Sequence, residues 1–303
     1  MIATPLHLLL LLVLPPLLLG VINKTKAFFA GRVGAPFLQP YYDIAKLLRK
    51  GMVVSSTTTW VFIAGPVVSV AVAVVAGLMI PLGNVGPVLS FTGDFLLFAY
   101  LFALARFFTV SAALDTGSPF EGMGSAREVT FAVLTEPALF FAFLALARLS
   151  GSLSLGGMFA IGSTPAFSVG NAAPLVLVVV GLFIVLLAEN CRLPVDDPTT
   201  HLELTMIHEA MVLDHSGPLL GLIEYGSSVK LFVLESLVLN LVLPLSALPV
   251  WLGAAAWAVG LIAVSAVVGV IESSMARLRM SRVPTLLIAA ILLCGSAFVM
   301  LVR

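Results

Sequence analysis

Charge is scarce in this chain. Of its 303 residues only 10% are Asp, Glu, Lys or Arg, and no charge interrupts residues 51–93 or 149–188. Cysteine is nearly absent as well. Cys191 and Cys294 are the only two, too few for an iron–sulfur cluster, which takes about four thiolates. Basic excess is missing: 15 Lys and Arg balance 15 Asp and Glu, which argues against nucleic acid as a partner, since that needs a basic surface. No glycine-rich dinucleotide or phosphate loop follows a strand pattern. Redox chemistry around this chain would therefore use cofactors held by other subunits, with none bound here. What is abundant is apolar surface: 60% of residues are hydrophobic and mean hydropathy is +1.16. A membrane-crossing helix needs roughly 20 such residues, so the expected fold is an all-α polytopic membrane protein.

Hydropathy marks eight candidate spans at 4–22, 57–80, 94–114, 129–149, 172–190, 218–243, 250–272 and 283–302. Residues 1–23 lack a basic leader and a small-residue cleavage site, so they read as a retained first helix and not as a signal peptide. Loop charge tests the order independently. Lys24, Lys26, Arg32, Lys46, Arg49 and Lys50 follow the first span, Arg127 precedes the fourth, Arg192 follows the fifth, and Arg277, Arg279 and Arg282 separate the last two. All of these fall on one side of an eight-span arrangement. The opposite loops, at 81–93, 150–171 and 244–249, carry no charge. The positive-inside rule then puts both termini outside and the charged loops in the cytoplasm of a bacterial or archaeal cell. The chain reads as one membrane domain, 1–303, with cytoplasmic loops at 23–56, 188–217 and 273–284.

The first of these loops contains a helical pattern. In PFLQPYYDIAKLLRKG, Leu38, Tyr41, Ala45 and Leu48 share one face, while Gln39, Asp43, Lys46 and Lys50 mark the other. That pattern predicts a short amphipathic helix on the inner membrane surface. It would serve as an interfacial anchor or as the wall of a cavity between membrane and partner.

The second loop, AENCRLPVDDPTTHLELTMIHEAMVLDH at 188–215, is where the chain turns abruptly polar. It holds Glu189, Arg192, Pro194, Asp196, Asp197, His201, Glu203, His208, Glu209 and Asp214. So dense a cluster between membrane spans reads as a face for a water-soluble, redox-active partner. His201, His208 and His215 recur every seven residues and could share a helix face, which raises a metal or haem site. They sit together in the polar loop instead of facing one another across spans. HEAMV also lacks the second histidine of a zinc-protease helix. A solvated or partner-facing set fits better, and no metal site is expected.

Ionisable groups inside spans are costly and usually face a bundle interior or a wet cavity. Here they are Arg106, Glu136, Glu224, Lys230 and Glu235, with Asp115, Glu189 and Glu272 at helix ends. Glu224 and Glu235, eleven residues apart, share a face; Lys230 points elsewhere and needs a partner on another span. Glu136 precedes Pro137, which removes a backbone donor beside the carboxylate. Glu136, Glu224, Lys230, Glu235, Arg106 and Asp115 are the candidate proton path. The competing reading is a set of buried ion pairs that fix helix registry.

In this order the pieces resemble a membrane subunit of respiratory complex I, the one called subunit one in mitochondria. GRVGAPFLQPYYDIAKLLRKG is similar to that family's first cytoplasmic segment, and SAREVTFAVLTEPALF to the span carrying its intramembrane glutamate, which places that role on Glu136. AENCRLPVDDP resembles the signature held here by Glu189, Arg192, Pro194 and Asp196, and ESSMARLRMSRVP the late basic loop. Quinone-reducing members carry a Pro-Glu-Ala-Glu-Ser-Glu stretch where this chain has Pro198, Thr199, Thr200, His201, Leu202 and Glu203. The longer 195–218 stretch instead resembles the homologous subunit of formate hydrogenlyase and hydrogenase-four type complexes. That resemblance implies a non-catalytic, membrane-anchoring and coupling subunit. It would dock hydrogenase large and small subunits and ferredoxin-like iron–sulfur subunits on the cytoplasmic side, beside antiporter-like membrane subunits. The nickel–iron centre and the clusters would lie in those partners. Two other functions compete: a quinone-binding subunit of a complex I-like oxidoreductase, and a stand-alone ion transporter, which no evident internal repeat supports.

Overall fold

A computed structural model of the chain describes residues 3–159, 172–196, 206–243 and 249–302. Among these, every regular element is helical. The first apolar run is two helices, α1 (Ala3–Val13) and α2 (Pro15–Phe29), bent by 42°. Pro15 and Pro16 cause the break, because neither can donate back to the carbonyls of Leu11 and Leu12. Leu17 N–H turns to the Leu14 carbonyl at 3.0 Å, which frees Val13 as well. Two tyrosines fill the gap: Tyr225 donates its hydroxyl to the Leu12 carbonyl at 2.9 Å, and Tyr41 donates to that of Val13.

Tyr41 belongs to α3 (Gln39–Leu48), the amphipathic surface helix. Its buried stripe is rotated from the expected face. Ile44 is buried, Tyr41 and Leu47 are half-buried, and Leu38, Ala45 and Leu48 are exposed. Packing decides the rotation: α3 leans on α2 and on α10 (Gly217–Val242), where Gly221 gives room for Leu47 and Leu48. Gly20 of α2 is required in the same way, since a Cβ there would strike the Phe37 carbonyl.

The remaining helices are α4 (Trp60–Leu78), α5 (Asp94–Asp115), α6 (Pro119–Ser150), α7 (Leu155–Phe159), α8 (Ala172–Glu189), α9 (His208–Met211), α11 (Val250–Ser274) and α12 (Val283–Val302). Among the described residues six helices are long and apolar enough to cross a membrane, or seven if the bent α1–α2 pair is one span. The expected 218–243 segment coincides with α10, whose 26 residues carry Glu224, Lys230 and Glu235. Residues 231–239 of α10 are buried all round, so this helix runs through the centre of the bundle. The 32-residue α6 starts ten residues before the predicted 129. At 1.5 Å per residue it is about 48 Å long, more than a hydrocarbon core of roughly 30 Å. Its first turns, with Glu121, Arg127 and Glu128, therefore project on the charged side.

Candidate functional site: a charge cluster beneath a surface cleft

Arg106, midway along α5, gathers three carboxylates. Its Nη1 lies 2.6 Å from Glu136 Oε1, its Nη2 2.6 Å from Glu189 Oε1, and its Nε 3.4 Å from Glu128 Oε1. The diverging nitrogens of one planar guanidinium hold the three apart at fixed angles, which the compact ammonium of a lysine does not. Lys230 of α10 reaches Glu189 from the other side, 2.8 Å from Oε2, which supplies the off-helix partner its position required. Thr135 adds a hydroxyl donor to Glu189 Oε1 at 3.0 Å. Three helices, α5, α6 and α10, thus converge on the last residue of α8. The Arg106 and Glu189 side chains are nearly buried, at 10% and 9% exposure, whereas Glu136 is 43% exposed.

Three cavities meet here. The largest, about 910 Å³, is walled by Pro66 and Ser69 of α4, Phe102 and Thr109 of α5, Ser227 and Lys230 of α10, and His208 and Met211 of α9. Arg106, Glu128 and Glu189 close its floor. Two smaller spaces, about 370 and 280 Å³, continue past Glu136 and past Glu128 respectively, and Glu189 borders all three.

The described residues of the 188–217 loop depart from the open polar surface expected of it. Arg192, Pro194 and Asp196 are buried. Arg192 Nη1 lies 3.4 Å from Glu272 Oε1, and the other oxygen of Glu272 is 2.9 Å from Lys26. Asp196 lies 2.6 Å from Arg277 and accepts from the Ile207 N–H at 3.1 Å. Leu278 N–H donates to the Pro194 carbonyl at 2.9 Å. These residues brace the loop against the end of α11 and the α11–α12 connection, because charges this deep need partners within the chain. Arg127 holds the far end, donating to the Met206 carbonyl at 2.8 Å. Asp197, His201 and Glu203 lie outside the described residues. Of the rest, Glu209 is half-buried and Asp214 is exposed.

The histidines also differ from a solvated, partner-facing set. His208 faces the cleft. His215 is buried and stacked on Phe62 at 4.0 Å, with Nε2 3.3 Å from the Phe62 carbonyl oxygen. The short α9 contributes His208 and Met211 to the cleft wall. Burial holds the His215 imidazole below its usual range. It pushes the Cys191 thiol well above its usual range, and the neighbouring carboxylates Glu128 and Asp196 add to that.

The candidate proton path divides. Arg106, Glu136 and Lys230 join the cluster. Glu235 is fully buried and accepts from Ser265 of α11 at 2.7 Å. Glu224 is exposed. Asp115 accepts from the Thr59 N–H at 2.6 Å and its hydroxyl at 3.0 Å, tying the start of α4 to the end of α5. Sequence reasoning missed two carboxylates. Glu128 belongs to the cluster, and Glu121, buried at the head of α6, accepts from Thr116 and from the Asp214 N–H. Glu128 and Glu136 are eight residues apart, the spacing of one helical stripe, which was the available signal. Among the described residues no group of three or more His, Cys, Asp or Glu could hold a metal ion.

Known proteins resemble this chain in sequence and in fold. Formate hydrogenlyase subunit 4 of Escherichia coli (strain K12) is 32% identical over 299 residues, 97% of this chain and 96% of that protein. Hydrogenase-4 component C of the same organism is 32% identical over 77% of this chain and 72% of its own length. NADH-ubiquinone oxidoreductase chain 1 of Podospora anserina is 28% identical over 75% of this chain and 64% of its own. In fold, the chain superposes on a subunit of an archaeal membrane-bound sulfane sulfur reductase with a TM-score of 0.82. That match is 23% identical and covers 98% of this chain and all of that one. The family described as NADH dehydrogenase matches residues 2–303, and the chain belongs to that family as a multi-pass subunit of the cell membrane, of the type found in formate hydrogenlyase and hydrogenase-4.

Proposed function

We propose that this chain is the membrane-anchoring and coupling subunit of a multisubunit, energy-converting hydrogenase. It would cross the membrane eight times with both termini outside. A soluble arm holding the nickel–iron centre and iron–sulfur clusters would dock on the cytoplasmic side, and antiporter-like subunits would pack laterally. Two of the relatives are named as hydrogenase-type subunits. The observation that carries the coupling role is the five-membered cluster of Arg106, Glu128, Glu136, Glu189 and Lys230. It sits where three cavities meet, at the end of α8 from which the braced residues Arg192–Asp196 continue.

Electrostatics supplies the mechanism. A unit charge arriving roughly 10 Å from the cluster changes its energy by about 1.7 kcal/mol at an effective dielectric constant of about 20. That is enough to alter a protonation equilibrium roughly tenfold. Reduction of a cluster in the soluble arm would thus be felt by the carboxylates, and protons would redistribute through the cavities beside them. Glu136, the most exposed of the three acids, is the natural exchange point. The test uses inverted vesicles carrying the native complex. Glu136→Gln should leave assembly and hydrogen turnover intact while lowering vesicle acidification per turnover. Unchanged acidification would remove Glu136 from the path.

A second reading is favoured by the mostly apolar wall of the large cleft, formed by Pro66, Val72, Phe102 and Met211. It would accept a quinone-class ligand. Bound nickel with hydrogen turnover in the purified complex supports the first reading. Turnover without nickel, blocked by quinone analogues, supports the second.

A further inference from the structure

Away from the cluster, the cytoplasmic end of α2 meets the end of α11 in a shallow basin of about 930 Å³. Lys26, Phe29, Arg32, Gly34 and Ser273 line it. Arg32 is exposed and makes no ion pair among the described residues. The nearby acid, Glu272, is already matched by Lys26 and Arg192. Residues 24–50 place six basic side chains against one acid, Asp43, to which Gln39 donates at 2.9 Å. Large apolar side chains stand beside these cations in the open: Phe28 is 79% exposed and Phe29 56%. Val270, three residues before Ser273, is exposed on the adjoining turn of α11, and Val267 is exposed one turn further along, next to Val270. A cationic basin therefore opens onto an apolar track that runs down a membrane helix.

We propose that this basin binds an anionic phospholipid, with its phosphate between Arg32 and Lys26 and its acyl chains along Phe29, Val270 and Val267. A phosphodiester offers the paired oxygens that a guanidinium fork grips. Exposed aromatics beside basic residues suit the boundary between headgroups and chains. The occupant is a lipid and not free phosphate, because the apolar track would otherwise stay bare beside the charged pocket. Lys24 supports the rim, donating to the Val33 carbonyl at 2.7 Å with its ammonium 5.9 Å from the centre of the Phe37 ring. Lipid binding here is independent of any role in hydrogen chemistry.

Native mass spectrometry of the detergent-solubilised complex tests it, with phosphatidylglycerol and phosphatidylcholine supplied in equal amounts. Phosphatidylglycerol should be retained at least about fivefold over phosphatidylcholine, and Arg32→Gln should reduce that retention about fivefold, the effect of one cation at an anionic surface. Ser273→Phe, which fills the basin without changing charge, should reduce it too. Arg148→Gln, an exposed cation at the opposite end of α6, should not. Glycerol 3-phosphate should fail to displace the lipid. Equal retention of the two lipids overturns the proposal, as does equal behaviour of the Arg32 and Arg148 variants. Displacement by glycerol 3-phosphate would mean a free-phosphate site, and shielding of Arg32 from phenylglyoxal by a partner polypeptide in delipidated complex would mean a protein surface. Either result also overturns it.

Discussion

Replacing Arg106 tests whether one guanidinium organises the cluster. Arg106→Gln removes the charge shared by Glu128, Glu136 and Glu189, leaving Lys230 alone opposite Glu189. Removing one partner of a buried pair costs about 3–5 kcal/mol, mostly from the charge left behind. Glu189 and Glu128, at 9% and 19% exposure, supply nearly all of that here. Glu136 is 43% exposed, so its share is discounted to the level of a surface pair, about 0–1 kcal/mol. Arg106→Lys keeps the charge but offers a single point of contact. It should lose one or two charge-assisted hydrogen bonds, each worth about 1.5–3 kcal/mol. The expected order of stability is therefore wild type, then Lys, then Gln.

Unfolding in mixed micelles titrated with dodecyl sulfate, followed by tryptophan fluorescence, reads this order, since Trp257 is fully buried in the core. Glu189→Gln in the Arg106→Gln background should recover about 1–3 kcal/mol, the coupling expected of neighbours sharing one network. Two results would refute the reasoning: wild-type stability in Arg106→Lys, or a double variant that loses the sum of the two single losses.

Tyr41→Phe and Tyr225→Phe each remove the donor to a carbonyl freed by Pro15–Pro16 and should cost about 1 kcal/mol in the same unfolding assay. Because the two acceptors differ, the losses should add. His215 is held below its usual value of 6.5 by burial. The unfolded chain then binds the extra proton between the two values, so stability is full above about pH 6.5 and falls as pH drops through that window. His215→Gln should flatten this fall, and an unchanged pH profile would contradict it. The Cys191 thiol, buried and shifted well above its usual value, should resist iodoacetamide in the folded complex at about pH 8 and react only on unfolding.

The apolar runs made the membrane helices legible, because bilayer thickness imposes a length that hydropathy can count. It hid whatever that count averages over. The α1–α2 break was in plain view as Pro15–Pro16, yet the window stays apolar across it. The start of α6 at Pro119 was lost because Glu121, Arg127 and Glu128 look like loop residues. Only once α6 is extended by nearly three turns does Glu128 fall on the stripe of Glu136. Apolar residues at 38, 41, 44, 45, 47 and 48 allow more than one stripe on α3, and contact with α10 selects among them. The polar loop was the reverse case. Its composition was obvious, but composition cannot say whether Arg192 and Asp196 turn outward or find Glu272 and Arg277 inside the chain.

That inward turn changes how a partner on the cytoplasmic side would reach the cluster. Glu189 and Arg192 are three residues apart, yet they serve different networks. Glu189 closes on Arg106 and Lys230, while Arg192 closes on Glu272. Asp196, four residues further on, is tied to Arg277. The stretch from Glu189 to Asp196 is therefore a strut with one foot in the charge cluster, one on the end of α11 and one on the α11–α12 connection. Direct side-chain contact with these residues is closed to a docking protein unless the braces open. The backbone that joins Glu189 to Asp196 is short and hydrogen-bonded, with the Arg192 N–H on the Leu187 carbonyl and the Val195 N–H on the Arg192 carbonyl. Arg277 is the partly exposed end of that bracing, at 18% against 1% for Asp196, so a substitution there, such as Arg277→Gln, should loosen the loop without removing any member of the Arg106 cluster.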